Sequence, residues 1–379
     1  MILRNVSYIN SIDEKLFGES LIHIKNGIIE DIISCDEDVK IDSEHSLDLT
    51  GFTLLPGFIN AHSHTGFKQL GGTTINDFHL LYLEKALKEG VTTIRDEGMF
   101  SDFGIDNYVK RKQEISKSDK YPTIIGVGKF FSARGGYGGA SPIGIDNIQE
   151  LYVSFEKALT DGIDMVKTVL EDGLDPSTIG LPKLSEDILK ELCDLAHANN
   201  LRVSAHVTQS HNLEKLINAG IDDAAHMVYD FLSDELIKQM VTKKVAVVPT
   251  LTFYKMIKDK FQAPLLEIAK ENLIRFVKAG GLVGVGDDFI EEELPWYRLG
   301  LPKMELELLK EAGLTNFQII QALTINGSII CGVDKVVGTI EKGKKADLVI
   351  VKGNPLENIS YLFDVAMVIK NGKIVIDNT

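Results

Sequence analysis

Several things that would narrow the chemistry quickly are scarce in this chain. There are three cysteines in 379 residues, Cys35, Cys193 and Cys331, and no CxxC pair. That excludes a disulfide framework and a thiolate metal knuckle, and makes a reduced, cytoplasmic protein with buried thiols the expectation. None of the three adjoins a recognisable base, so no catalytic thiol is expected. No apolar run approaches the ~20 residues of a membrane helix. The N-terminus MILRNVSYINSIDEK has neither a basic n-region nor an apolar h-region, so no secretory leader is expected. Positive charge is short as well: 40 Lys and Arg face 55 Asp and Glu, a net charge of -15. That balance argues against nucleic acid or an anionic membrane as partner. There is no GxSxG elbow. The glycine-rich stretch 135–139 lacks the GK[ST] of a phosphate loop, and a lid is the better reading. No repeat or low-complexity tract appears.

What is present is an ordinary globular composition, 44% hydrophobic and 25% charged, in a chain long enough for a sizeable core. Residues 1–55 read as short strands. SLIHIKNGIIEDIIS alternates apolar and polar residues around an Asn-Gly turn, a hairpin signature. The last stretch, VVGTIEKGKKADLVIVKGN then VAMVIKNGKIVID, returns to strands with another Asn-Gly at 371–372. Between them the texture differs. The short apolar runs GFINAH, VTTIRD, TIIGVG, DMVKTV, LRVSAHV, DDAAHMV, VAVVPTL and LVGVGDD alternate with helix-period segments such as SEDILKELCDLAHANN. This is the arithmetic of an α/β protein, a (β/α)8 TIM barrel over 56–335. A small β-sandwich domain is expected from both termini, 1–55 and 336–379.

Strands of a parallel barrel are buried on both faces and should be apolar. A polar residue there costs free energy unless paired, and the C-terminal ends of barrel strands are where active sites sit. His62 and His64 close the first strand, and their i, i+2 spacing puts both on one side. Lys167 lies in the fourth strand, His206 ends the fifth, His226 the sixth, and Asp287 and Asp288 the eighth. Singly, each reads as a satisfied core histidine, a snorkelling lysine or a helix cap. Together, four of the nine histidines on one rim with a carboxylate make a site for Zn²⁺ or a similar borderline metal.

LLPGFINAHSH, GVTTIRDEG, HANNLRVSAHV, NAGIDDAAHMVYD, KKVAVVPTLTFY and the tail GTIEKGKKADLVIVKGNPLENI together resemble the amidohydrolase superfamily of metal-dependent hydrolases. The likeness is to its prolidase- and imidazolonepropionase-related branch and covers nearly the whole chain. The resemblance implies two divalent metal ions, zinc foremost, with manganese, iron or cobalt also suited to these donors. It implies His62 and His64 on the more buried metal, His206 and His226 on the second, and Lys167 N6-carboxylated as a bridge between them. It implies Asp288 as both ligand and catalytic proton carrier, with Asp287 as the fallback should the register slip by one. Asn60 stands where Asp is commoner, and Gly286-Asp287-Asp288 replaces the usual Gly-Thr-Asp.

The implied activity is hydrolysis of an amide-type C–N bond in a small-molecule substrate (dipeptide-like, N-acyl or cyclic amide). A metal-bridging hydroxide attacks and Asp288 carries the proton to the leaving group. Tyr137 falls where dipeptidases of the branch often carry a loop histidine. Tyr229 follows the sixth-strand histidine at an offset where relatives place a substrate tyrosine. Tyr137 and Arg134 are candidates for holding a carboxylate or polar head group. Alternatives are a mononuclear-metal deaminase, an esterase or phosphotriesterase on the same centre, or a barrel that kept the fold without the chemistry. Deaminating relatives lack the strand-four lysine and use a Glu near the fifth-strand histidine, whereas here HVTQSH has no Glu before Glu214. A homo-oligomer is compatible with such a barrel, but nothing in the sequence reads it out.

Overall fold

Both Asn-Gly turns form as the sequence requires. Asn26 and Gly27 have φ of 53° and 78°, and Asn371 and Gly372 have 53° and 73°, the left-handed pair of a type I′ hairpin. The two turns pack on each other so closely that a Cβ on Gly372 would lie 2.7 Å from Gly27 Cα. The computed structural model describes all residues except 35–45, 70–72, 75–76, 99–104, 140–141, 175–177, 258–263 and 292–297. Cys35 and His45 lie outside the described residues.

The turns belong to one sheet built from both chain ends. Its path runs from the C-terminal strand Lys373–Asp377 through Val365–Lys370 and Leu348–Lys352. It continues through Phe52–Pro56 and Ile2–Tyr8 to Phe17–Lys25 and Ile28–Ser34. The ends meet where Phe52–Pro56 pairs antiparallel with Leu348–Lys352, Pro56 opposite Leu348 and Phe52 opposite Lys352. Leu3, Ile22 and Leu54 share a core with Leu348, Ile350 and Ile369. This is the β-sandwich that accompanies the barrel.

The barrel follows. Phe58–Gln69 is its first strand, Val91–Asp96 the second and Thr123–Gly126 the third, all parallel. The fourth to seventh are Val166–Val169, Val203–His206, Asp223–Ala224 and Ala246–Val247. Val247 N donates to Leu282 O at 2.9 Å, and Ala61 N to Val285 O at 2.7 Å, which closes the ring through 282–288. Helices of ordinary construction return the chain between strands. In Glu186–Ala198, Ser185 caps the N-terminus and Leu189, Leu192, Cys193 and Ala196 face inward. The first strand runs past His64 to Gln69, five residues beyond the expected end, because Phe289–Glu291 pairs alongside it. Among the described residues, no helix is long and apolar enough to cross a membrane.

Candidate metal centre

Three donor atoms converge first. His62 Nε2 lies 3.1 Å and His64 Nε2 3.2 Å from the same oxygen, Asp288 Oδ1. One donor atom from each of the three residues falls within 4.8 Å of the others. The convergence depends on two backbone features. Asp288 has φ of 51°, a conformation few non-glycine residues adopt and one typical of functional sites. Gly286 lets the eighth segment lie against the first strand, since a Cβ there would meet His62 Cβ at 2.5 Å.

For His64, His226 and His206 a neighbour faces the nitrogen turned away from the cavity, whereas the buried Nδ1 of His62 neither accepts nor donates a hydrogen bond among the described residues. His64 Nδ1 is 2.7 Å from Gly98 O, so it donates there and leaves Nε2 with its lone pair. His226 Nδ1 is 2.6 Å from Thr250 Oγ1, which itself donates to Pro249 O at 2.9 Å. The His226 proton is therefore on Nδ1. Thr250, β-branched, is held at φ 46°, strain stored where the ring is aimed. His206 Nε2 faces Glu171 Oε2 at 3.5 Å, and Glu171 also accepts from Thr208 at 2.8 Å and Gln209 at 2.6 Å.

His226 Nε2 and His206 Nδ1 face each other at 2.8 Å; when the His206 proton is on the Glu171 side, both present lone pairs. A shared proton or a cation is needed to reconcile them. The neutral ring is favoured at His62 and His226, whereas at His64 burial acts downward but Asp288 outweighs it and raises the ring. Burial, reinforced by the Lys167 charge, lowers His62 to about 4, and burial with His206 takes His226 well below its ordinary range. For Asp288 burial acts upward, but the imidazoles of His62 and His64 hold the carboxyl well below the usual carboxylate range. The donor set of imidazoles and a carboxylate suits a borderline divalent cation.

Asp287 and Asp288 separate cleanly. Asp287 turns away from the histidines, and its Oδ1 accepts from Asn60 Nδ2 at 2.9 Å. Burial pushes it up to about 7 against that hydrogen bond. The two departures from the usual pattern, Asn60 and Asp287, thus contact each other: an aspartate at 60 would set two carboxylates together, whereas an amide donates.

Lys167 sits in the fourth strand opposite Ser204, buried at the cavity floor. Its Nζ contacts Glu97 Oε2. Glu97 directly follows the second strand and is fully buried. Its Oε2 accepts from Ser204 Oγ at 3.0 Å, and its Oε1 is 2.7 Å from Arg95 Nε. Arg95 in turn holds Asp223 with two hydrogen bonds of 2.9 Å. The sequence reading missed Glu97 and Glu171. The signal for both was an acid immediately after an apolar strand, in IRDEG and VLED. The cost of burying Lys167, which carboxylation would answer, is already answered by Glu97.

Tyr137 reaches the site and stacks on His206, with ring centroids 4.5 Å apart. With Phe130 and Phe253 it walls a cavity of about 70 Å³ over the histidines, Lys167, Glu97 and Asp288. Two expected substrate residues do not reach it. Arg134 points to the outer surface, where Asp146 and Glu150 hold its guanidinium at 2.6 and 2.7 Å. Tyr229 does not line the cavity: its hydroxyl accepts from Gln209 at 2.9 Å and its ring meets Tyr254 edge-on.

The sequence model of the Amidohydrolase family matches residues 53–375. The chain belongs to the amidohydrolase family. The imidazolonepropionase of Clostridium tetani (strain Massachusetts / E88) is 26% identical to this amidohydrolase, over 93% of this chain and 89% of that protein. The 5-methylthioadenosine/S-adenosylhomocysteine deaminase of Thermoanaerobacter pseudethanolicus (strain ATCC 33223 / 39E) is 24% identical over 100% of this chain and 94% of that one. Among solved structures, a Xaa-Pro dipeptidase with bound methionine in the active site superposes with a TM-score of 0.83, at 22% identity, covering 98% of both chains. The amidohydrolase barrel with its terminal β-sandwich is thus the fold of this hydrolase.

Proposed function

We propose that this amidohydrolase hydrolyses an amide-type C–N bond in a small molecule (a dipeptide-like, N-acyl or cyclic amide substrate), with metal held at the centre described above. The barrel would be 56–335, and 1–55 with 336–379 the β-sandwich domain. The convergence of His62, His64 and Asp288 within 4.8 Å, beside the facing nitrogens of His206 and His226, carries this reading. His62, His64 and Asp288 would hold one divalent cation, zinc foremost, and His206 and His226 a second. The anionic group on the Lys167 side would be a carbamate on that lysine or the carboxylate beside it. Bound there, the cations would supply a Lewis acid for the substrate carbonyl and a water acidified toward neutrality.

The chain's own residues do the rest. Asp288, at the meeting point of two imidazoles, takes a proton from the attacking water and returns it to the departing nitrogen. Tyr137, Phe130 and Phe253 exclude water from the cavity mouth, and Tyr137 offers a hydroxyl to the substrate's polar end. Two buried thiols, Cys193 and Cys331, fit a cytoplasmic protein.

A deaminase on a single cation is the second reading, favoured by one observation: Lys167 already has its counter-charge in Glu97. The test is to strip the protein with chelator, titrate zinc back and count ions per chain. Dipeptides, N-acyl amino acids, cyclic amides and aminopurines are then screened for released amine and ammonia. Metal-dependent amide cleavage is expected. Release of ammonia from the aminopurines alone would favour the deaminase. A protein that binds no metal would sink both.

A further inference from the structure

We propose that Glu97 is itself a metal-site ligand: its carboxylate supplies the negative group on the cavity floor, and Lys167 stays unmodified as its ion-pair partner. This rests on the metal-dependent reading above and specifies which residue completes the centre.

Three observations carry it. The first is position. Glu97 follows the last residue of the second barrel strand, at the same rim as the histidines, and lines the same cavity as His62, His206, His226 and Asp288. The second is an unfilled acceptor. Glu97 is fully buried, yet its Oε1 accepts no hydrogen bond. Arg95 Nε is only 2.7 Å away, but its N–H is directed to Ala61 O. Arg95 therefore meets this oxygen by charge alone, and no N–H occupies its lone pairs. The third is charge. Arg95, Lys167, Asp223 and Glu97 form a contiguous buried set with two positive and two negative members. Converting the lysine ammonium to a carbamate, with uptake of carbon dioxide and loss of two protons, would replace the Lys167–Glu97 attraction by two anions in contact. It would also add a negative group to a floor where Glu97 already places one.

The experiment compares four proteins, each stripped of metal and refilled with zinc, with and without bicarbonate: wild type, Glu97→Gln, Lys167→Met, and the double variant. Because Glu97→Gln leaves Lys167 without its counter-charge and can misfold, the double variant, which removes both charges, serves as its folded counterpart, checked by thermal midpoint. The expected results are as follows. Wild-type zinc content is independent of bicarbonate, and ¹³C-bicarbonate-loaded protein shows no carbamate carbon by NMR. Lys167→Met retains its zinc. Glu97→Gln and the double variant lose at least about 10- to 100-fold in zinc affinity, the range seen when groups around a metal are removed. The opposite pattern overturns the proposal: a carbamate resonance that vanishes in Lys167→Met, zinc content that requires bicarbonate, or a folded double variant that binds zinc like wild type. Each of those outcomes leaves metal dependence standing. A metal-free wild type would instead remove the functional reading itself.

Discussion

Replacing Glu171 by Gln changes one atom and should reach the His206–His226 half of the proposed metal centre through a tautomer. Glu171 Oε1 accepts from Gln209 Nε2 at 2.6 Å and Gly173 N at 3.0 Å, and its Oε2 faces Thr208 Oγ1 at 2.8 Å and His206 Nε2 at 3.5 Å. A glutamine keeps its oxygen on the side with two fixed donors, so its NH₂ faces His206. Two N–H groups then oppose each other. His206 relieves this by moving its proton to Nδ1, the nitrogen that faces His226 Nε2. That nitrogen can no longer bind a cation. Loss of such a supporting partner costs roughly 10- to 100-fold in metal affinity, about 1.4–2.7 kcal/mol.

The same change has a pH signature. For Glu171 burial acts upward, but His206, Gln209 and Thr208 outweigh it and bring the carboxyl from an ordinary 4.5 to about 2. The folded value lies below the unfolded one. The carboxylate's stabilisation is therefore fully present above about pH 4.5 and lost as pH falls toward 2, and its ceiling is roughly 3 kcal/mol. Two assays check this. Zinc titration of the stripped protein should show the weaker binding step lowered and the other unchanged, with the His206 tautomer read by ¹⁵N NMR. Urea unfolding should show a stability gap between wild type and variant at pH 7 that narrows below pH 4.5. Equal weakening of both binding steps, or a gap constant from pH 7 to pH 3, would refute the reasoning.

Other expectations follow from the same geometry. Asp288→Asn should lower turnover by about 10²–10⁴-fold, the range for a lost general base, and reduce metal content, whereas Asp287→Asn, still able to pair with Asn60, should leave metal content unchanged by elemental analysis. Gly286→Ala would press a methyl against His62 Cβ at 2.5 Å and Val248 Cγ1 at 2.6 Å. The cost is roughly 1–3 kcal/mol, read as a lower thermal midpoint together with reduced zinc occupancy. Lys370, buried in the terminal sheet, donates to the carbonyls of Ser118 at 3.0 Å, Ser116 at 3.5 Å and Tyr121 in the barrel. Lys370→Met orphans those acceptors and should cost roughly 1–3 kcal/mol in urea unfolding.

The residues that were legible in the sequence share one property: they are polar where the pattern demands apolar. His62, His64, Lys167, His206, His226 and Asp288 interrupt runs that otherwise read as buried strand, so burial itself marks them. Asn26-Gly27 and Asn371-Gly372 were legible because a type I′ turn accepts few other pairs. Glu97 and Glu171 escaped because an acid just beyond a strand is also what an ordinary solvated turn contains. Only the tertiary contacts reveal that one faces Lys167 and the other His206. Arg134 and Tyr229, which do not line the cavity, show the converse. A loop has no side-chain period, so sequence offset does not say which way a residue points, and at Arg134 the nearby Asp146 and Glu150 win.

Arg95 and Asp223 stand between these cases. Both break apolar strands, as the proposed ligands do, yet they neutralise each other across the barrel, 128 residues apart in sequence. A polar residue in a barrel strand therefore announces a partner, but the strand pattern cannot say whether that partner is another side chain or a cation. The distinction lies in what remains unpaired. Arg95 and Asp223 share two hydrogen bonds, whereas His206 and His226 turn two ring nitrogens on each other at 2.8 Å, and Glu97 Oε1 faces Arg95 without accepting its N–H. That crowding of acceptor atoms, with His62, His64 and Asp288 converging beside it, is the physical argument for the proposal that this barrel holds metal.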